Sequence, residues 1–214
     1  MPKELIYRKN VLMLLAEGFE LMETSCFTDI LAWASFQENV DIKLTRSSTS
    51  GTVKSAFGDF TLTTDSTIDQ LNLDNFDALA IPGGMEWAGF FENSLSDQFI
   101  EVVKHFILQN KPIAAVCVAS TCIAKSGEFE GREATIYHSQ TGKHKAKLEG
   151  MGVKFIDKPV VESGNVITST GPGTAIEVAL ALLAKLTDAR TVQSTRKMMR
   201  IPEPNRDWYQ PQVQ

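Results

Sequence analysis

Hydrophobic positions along this chain alternate between two rhythms. Val11 to Ala16 is an unbroken apolar run, the pattern of a parallel strand covered on both faces. It breaks at "EGFE", and Leu21 to Phe36 follows with apolar residues at helical spacing, Met22, Cys26, Ile30 and Trp33. "VDIKLT" (Val40–Thr45) alternates as a second strand, and residues 52–63 read as a hairpin turning at Gly58-Asp59. Phe76–Ile81 predicts a strand stopped by Pro82-Gly83-Gly84. Ser96–Gln109 predicts an amphipathic helix with Phe99, Val102, Val103, Phe106 and Ile107 inward and Ser96-Asp97 as its cap region.

The rhythm continues with a strand at Ile113–Val116, a helix from about Val118, a short strand at Glu133–Tyr137 and a polar helix at Gly142–Gly150. "VKFID", "PVVES" and "NVITS" predict three short strands, the last two joined at Gly164-Asn165. Pro172 opens an apolar helix, Ala175 to Leu186, and residues 188–199 form one more. Strands alternating with helices predict an α/β fold with a doubly wound, mostly parallel sheet. One domain is expected over residues 1–200, with a Pro-rich tail over 201–214.

Composition narrows the function classes. The chain has 214 residues, 43% of them hydrophobic, and a net charge of -5, ordinary for a globular protein long enough to bury a full core. The only basic cluster is "GKHKAK", which reads as a solvated helix face, so nucleic acid is not expected as a partner. The apolar stretch near the start is too short for a signal peptide, and no run approaches a membrane span. Three cysteines, Cys26, Cys117 and Cys122, fit a reduced, cytoplasmic setting rather than a disulfide framework.

Candidate chemistry gathers at strand ends, where ligands of such sheets bind. Cys117 falls where a strand turns into a helix, the position of a nucleophile on an elbow. The helix start behind it supplies free N–H groups that favour a thiolate. Cys26, on an apolar helix stripe, and Cys122, inside a helix, read as buried thiols. The Gly pair after Pro82 allows close backbone approach, so that N–H groups there and at Val118 face a developing oxyanion. Glu23, with Glu20 as competitor, lies in the first turn of the first helix. It is either an electrostatic cap or a carboxyl held against the sulfur, where burial and a thiolate favour its protonated form. His138 ends a strand, a position open to a structural or a catalytic role, whereas His105 and His144 read as surface histidines.

Five segments in order, "VLMLLAEGFELMETSCFTDIL", "FDALAIPGG", "KPIAAVCVAS", "ATIYHS" and "ITSTGPGTAIEVALALL", resemble the ThiJ/PfpI family of the class I glutamine amidotransferase-like superfamily. The resemblance implies a flavodoxin-like α/β/α sandwich, helices on both faces, and a homodimer. It implies Cys117 as nucleophile, Glu23 as the acid bonded to it, His138 as the site histidine, and Gly84 and Val118 as oxyanion donors. The implied activity is a cofactor-independent glyoxalase or deglycase acting on α-oxoaldehydes or early glycation adducts through a Cys117 hemithioacetal. A redox-sensing or chaperone-like stress role on the same cysteine is the alternative, and a peptidase or other hydrolase the third reading. Val118 stands where the protease branch has histidine, which disfavours peptidase activity. Ala119 replaces a common glycine, and Gly58 and Thr170 stand where the deglycase branch has arginines. No dinucleotide fingerprint and no metal-ligand spacing is present, so no cofactor and no metal are expected. Trp208 and Tyr209 favour a docked tail over a loose one.

Overall fold

A computed structural model describes residues 7–139 and 141–204. The strands are β1 (Tyr7–Leu14), β2 (Val40–Ser48), β3 (Thr52–Lys54), β4 (Thr61–Thr63), β5 (Ser66–Thr67), β6 (Ala78–Ile81), β7 (Ile113–Ala115), β8 (Glu133–Ala134), β9 (Lys154–Phe155), β10 (Val160–Ser163) and β11 (Val166–Ser169). The helices are α1 (Leu21–Ala34), α2 (Phe90–Ser94), α3 (Asp97–Leu108), α4 (Ser120–Lys125), α5 (Lys143–Glu149), α6 (Ala175–Leu186) and α7 (Ala189–Met198).

Seven strands form one sheet in the order β10-β11-β7-β6-β1-β2-β5. All its neighbours run parallel except β10, which returns antiparallel on β11. Central strands are apolar on both faces because both are covered: Val11–Leu14, all of β6 and all of β7 are buried. The chain winds outward from β1 through β2 and β5, then returns to the other side of β1 with β6. Right-handed crossovers in opposite directions put helices on opposite faces. Accordingly α1 packs on α6 and α7, whereas α3 packs on α4 and α4 on α5. The point where the winding reverses, between β1 and β6, is where a crevice opens beyond the strand ends.

The buried face of α1 differs from the one its spacing suggests. Glu23, Thr24, Phe27, Ile30, Leu31 and Ala34 face inward, while Met22 and Trp33 are exposed and Cys26 is half-buried. A run this rich in apolar residues has no sharp polar face, so spacing alone does not orient it. In α3 the inward set is as expected for Phe99, Val102, Val103 and Phe106, with Ile107 at the margin; each buried side chain contributes on the order of 2 kcal/mol. Ser96 occupies the cap position of α3 but makes no side-chain cap bond.

The hairpin turn lies where glycine allows it: Gly58 and Asp59 both have positive φ between the antiparallel β3 and β4. The strand expected at Glu133–Tyr137 closes after Ala134, since β8 pairs only with the two residues of β9. Pro172 begins a short 3₁₀ turn, and α6 starts at Ala175. Of the tail, residues 201–204 are described; Trp208 and Tyr209 lie outside the described residues. There Arg196 of α7 makes two bonds to Glu177 of α6, at 3.0 and 2.6 Å, and one to the Pro202 carbonyl at 2.8 Å.

Candidate active site

Three adjacent strands deliver the site. β7 ends at Ala115, and Cys117 follows in a 3₁₀ turn that leads into α4. Cys117 has φ of +60°, a left-handed conformation that a side-chain-bearing residue holds only when its surroundings enforce it. The elbow is pinned on both sides: Val116 N–H donates to the Ile81 carbonyl, and Tyr137 N–H to the Cys117 carbonyl. The thiol is 5% exposed. Ala119 is fully buried with ordinary helical φ, so alanine fits this elbow without strain.

β6 ends next door and supplies Gly83 and Gly84. A Cβ on Gly83 would lie 2.9 Å from Cys117 Cβ and 3.0 Å from Glu23 Oε2. A Cβ on Gly84 would collide with the Gly18 carbonyl and the Phe90 ring. Both glycines are therefore required by close approach. Gly84 bridges Phe19 through its neighbours, with Glu20 N–H donating to Gly83 O and Met85 N–H to Gly18 O. Its own N–H takes no part in that bridge.

Glu23 comes from β1's side, in the first turn of α1, and is completely buried. It does not cap its helix. Its Oε2 accepts a 2.6 Å hydrogen bond from Gly83 N–H, while Oε1 has no hydrogen-bond partner among the described residues. Burial pushes the carboxyl up to about 8; the Gly83 N–H opposes this and the nearby Glu20 adds to it. Glu20 is thus an electrostatic neighbour, not the residue in the site.

Cys117 answers the sequence expectation only in part. Burial, then the negative charge of Glu23, push the thiol well up, and the Val118 N–H that faces the sulfur pulls the other way. Burial outweighs the helix start, so the ready thiolate expected from the elbow alone is not what this environment favours. Two groups this close and this buried cannot both ionise. Both groups are pushed toward their protonated forms, and of the two the carboxyl is the first to ionise as pH rises.

His138 reaches the site through its backbone neighbour Tyr137. Its ring faces elsewhere: Nδ1 lies 2.9 Å from the Ile136 carbonyl, Nε2 lies 3.4 Å from Asp157 Oδ1, and the ring stands edge-on to Phe155. The Asp157 contact is an ion-pair distance without hydrogen-bond geometry. Asp157 was not visible in the sequence. "VKFID" marks it only as a strand end, and its partner lies 19 residues back across a separate two-stranded sheet.

Gly58 and Thr170 bring no cation to the positions where the deglycase branch has arginine. His144, expected at the surface, is partly buried beside the Phe91 and Tyr137 rings, and burial lowers its pKa. His105 is likewise partly covered, 3.4 Å from Asp74. Cys122 is buried, its thiol facing the Ser94 carbonyl and pushed up to about 12. Among the described residues no group of three His, Cys, Asp or Glu side chains could hold a metal ion, and no helix is long and apolar enough to cross a membrane. Hollows of about 370 and 520 Å³ open elsewhere, beside Tyr7 and Asp188 and beside Leu31 and Ile42. Neither is lined by Cys117, Glu23 or His138, so chemistry rather than volume locates the site.

Fold and site together define a flavodoxin-like α/β protein with a cysteine on a strand-to-helix elbow. The chain belongs to the DJ-1/PfpI family, whose model matches residues 9–185. It is 34% identical to Protein dj-1beta of Drosophila melanogaster over 88% of this chain and 95% of that one. The crystal structure of Drosophila DJ-1beta superposes with a TM-score of 0.79 at 31% identity, covering 92% of this chain and all of the other. Deglycase PfpI of Pyrococcus furiosus is 30% identical over 53% of this chain and 64% of its own. The glutathione-independent glyoxalase DJ-1 of Schizosaccharomyces pombe is 35% identical over 59% of this chain and 63% of its own.

Proposed function

We propose that this protein is a cofactor-independent enzyme acting on α-oxoaldehydes, or on their early adducts with proteins, in a reducing, cytoplasmic compartment. The observation that carries this reading is the buried Glu23 carboxyl held by Gly83 against the Cys117 elbow. Two relatives named as a deglycase and a glyoxalase point to the same chemistry.

The steps balance without an external oxidant. As the Cys117 sulfur attacks the aldehyde carbon and forms a C–S bond, the Glu23 carboxylate takes the thiol proton and passes it to the oxyanion that forms on the carbonyl oxygen. Gly84 and Val118 N–H groups receive that charge. The carboxylate of Glu23 takes the proton from the former aldehyde carbon and returns it to the adjacent carbon. The first carbon is oxidised to a thioester as the second is reduced to an alcohol. Water then cleaves the thioester, releasing a 2-hydroxy acid and the free thiol. A carboxyl that titrates near 8 exchanges protons readily at neutral pH.

Lactate formation from methylglyoxal without glutathione tests this directly. Turnover in the native protein that disappears in Cys117→Ala is expected; equal turnover in both would overturn it. A second reading rests on Glu23 Oε1, which is buried without a hydrogen-bond partner among the described residues. As a protonated oxygen it would donate to an oxidised Cys117, giving a redox-responsive stress protein. Intact mass after mild peroxide would then show added oxygen at Cys117, and an unchanged mass removes this reading. We also propose a homodimer, since Met22, Phe57, Phe60 and Trp87 leave large apolar side chains exposed. Light scattering at the mass of one chain would refute it.

A further inference from the structure

We propose that Glu20 sets the charge selectivity of the Cys117 site, which takes neutral or cationic carbonyl compounds and turns anionic ones away. This rests on the reading of Cys117 as a nucleophile toward α-oxoaldehydes. Glu20 occupies the cap position of α1, yet its side chain makes no cap bond there. Its backbone is tied into the site. Glu20 N–H donates to the Gly83 carbonyl at 2.8 Å, and Gly83 N–H donates to Glu23 Oε2 at 2.6 Å. A Cβ on Gly83 would lie 2.9 Å from Cys117 Cβ. The Glu20 carboxyl itself is part-exposed and makes no hydrogen bond or ion pair among the described residues.

The charge of Glu20 reaches both reacting groups. It adds to the causes that push the Glu23 carboxyl and the Cys117 thiol up. What opposes those causes is hydrogen bonding, from Gly83 N–H and the thiol at Glu23 and from Val118 N–H at the sulfur, not a lysine or arginine. Lysines of the flanking segments are already paired, Lys54 of β3 with Asp59 at 2.8 Å and Lys143 of α5 with Glu86 at 2.6 Å. Gly58 and Thr170 supply no cation either. Glu23, pushed up to about 8, mostly holds its proton at neutral pH, so Glu20 is the standing negative charge that the sulfur feels. Glu23 Oε1, completely buried without a hydrogen-bond partner among the described residues, leaves one polar position open, and a protonated carboxyl suits a neutral carbonyl oxygen there. At a thiol only 5% exposed, water screens little, so a carboxylate repels an approaching anion and draws in a cation.

The experiment alkylates Cys117 at neutral pH with iodoacetamide, which is uncharged, and with iodoacetate, which is an anion. It compares the native protein with Glu20→Gln, Glu20→Lys and Glu20→Asp, and mass spectrometry of the Cys117 peptide gives the rates. Both reagents meet the same thiol, so its ionisation cancels in their ratio and only the charge of the reagent is read. The iodoacetate-to-iodoacetamide ratio should rise by about threefold to tenfold in Glu20→Gln, rise further in Glu20→Lys and stay near native in Glu20→Asp. Salt at about 0.5 M should shrink these differences. An unchanged ratio in Glu20→Gln and Glu20→Lys overturns the proposal; a lower thermal midpoint with that unchanged ratio would make Glu20 an electrostatic cap of α1 and nothing more. Turnover is compared on propylglyoxal and on the analogue whose terminal methyl is a carboxylate. The native protein should prefer the neutral compound in kcat/KM, and Glu20→Gln should bring the two closer. If the alkylation ratio responds but neither compound is turned over, the charge selectivity stands and the enzymatic reading fails. If turnover depends on Cys117 but the ratio does not move, the enzymatic reading stands and Glu20 selects nothing.

Discussion

Gly83 and Glu23, 60 residues apart, are joined by a 2.6 Å hydrogen bond that is closed off from solvent. The bond fastens the carboxyl of α1 to the end of β6, directly beside the Cys117 Cβ. It spans the point where the sheet reverses its winding, so the site depends on the topology as much as on its side chains.

Glu23 should make stability fall with rising pH. Its folded-state value, near 8, lies above the ordinary 4.5, so the folded protein holds a proton that the unfolded chain has lost. This contribution is fully present below 4.5, declines as pH rises toward 8, and is flat beyond. Glu23→Gln keeps the shape and removes the titration. Urea unfolding of both proteins between about pH 5 and pH 9 should show the native protein losing stability relative to the variant, up to the order of 5 kcal/mol. Parallel curves would show that Glu23 is not protonated in the fold.

The charge on Glu23 is among the causes that hold the Cys117 thiol up. Glu23→Gln should therefore lower the pH at which Cys117 is alkylated by iodoacetamide, with the difference widest above about pH 8, where native Glu23 is charged. Mass spectrometry of the Cys117 peptide gives the rate. Identical pH profiles would mean that sulfur and carboxyl do not interact.

Gly83→Ala should damage the site more than the fold. Its methyl would press on Cys117 Cβ at 2.9 Å and the Val116 carbonyl at 2.8 Å, at a stability cost of about 1–3 kcal/mol. Methylglyoxal turnover should fall at least tenfold. Gly84→Ala should destabilise more, because its methyl meets the Gly18 backbone as well as the Phe90 ring. Equal stability of Gly84→Ala and native protein in urea would contradict the packing described.

Cys117 at φ of +60° carries backbone strain that glycine would relieve. Cys117→Gly should be at least as stable as Cys117→Ala, with an advantage of about 1 kcal/mol. A clear advantage for alanine would mean that the elbow relaxes once the thiol is gone.

Much of this protein was determined by local sequence. The unbroken runs at Val11 and Ile113 could only be covered strands, and Pro82-Gly83-Gly84 and Cys117 stood out because they interrupt such runs. Strand ends are set by the chain itself, so the candidate residues that sit on them were legible. Tertiary structure alone decided what lies across the sheet. Which face of α1 turns inward depends on α6 and α7 packing against it, and this buries Glu23 while exposing Met22 and Trp33. Burial in turn pushes both Glu23 and Cys117 up, reversing the thiolate expected from a helix start. Asp157 meets His138 only through pairing of β8 with β9. Desolvation and long-range contact have no signature in a local window, because each depends on residues that the chain brings together only when it folds.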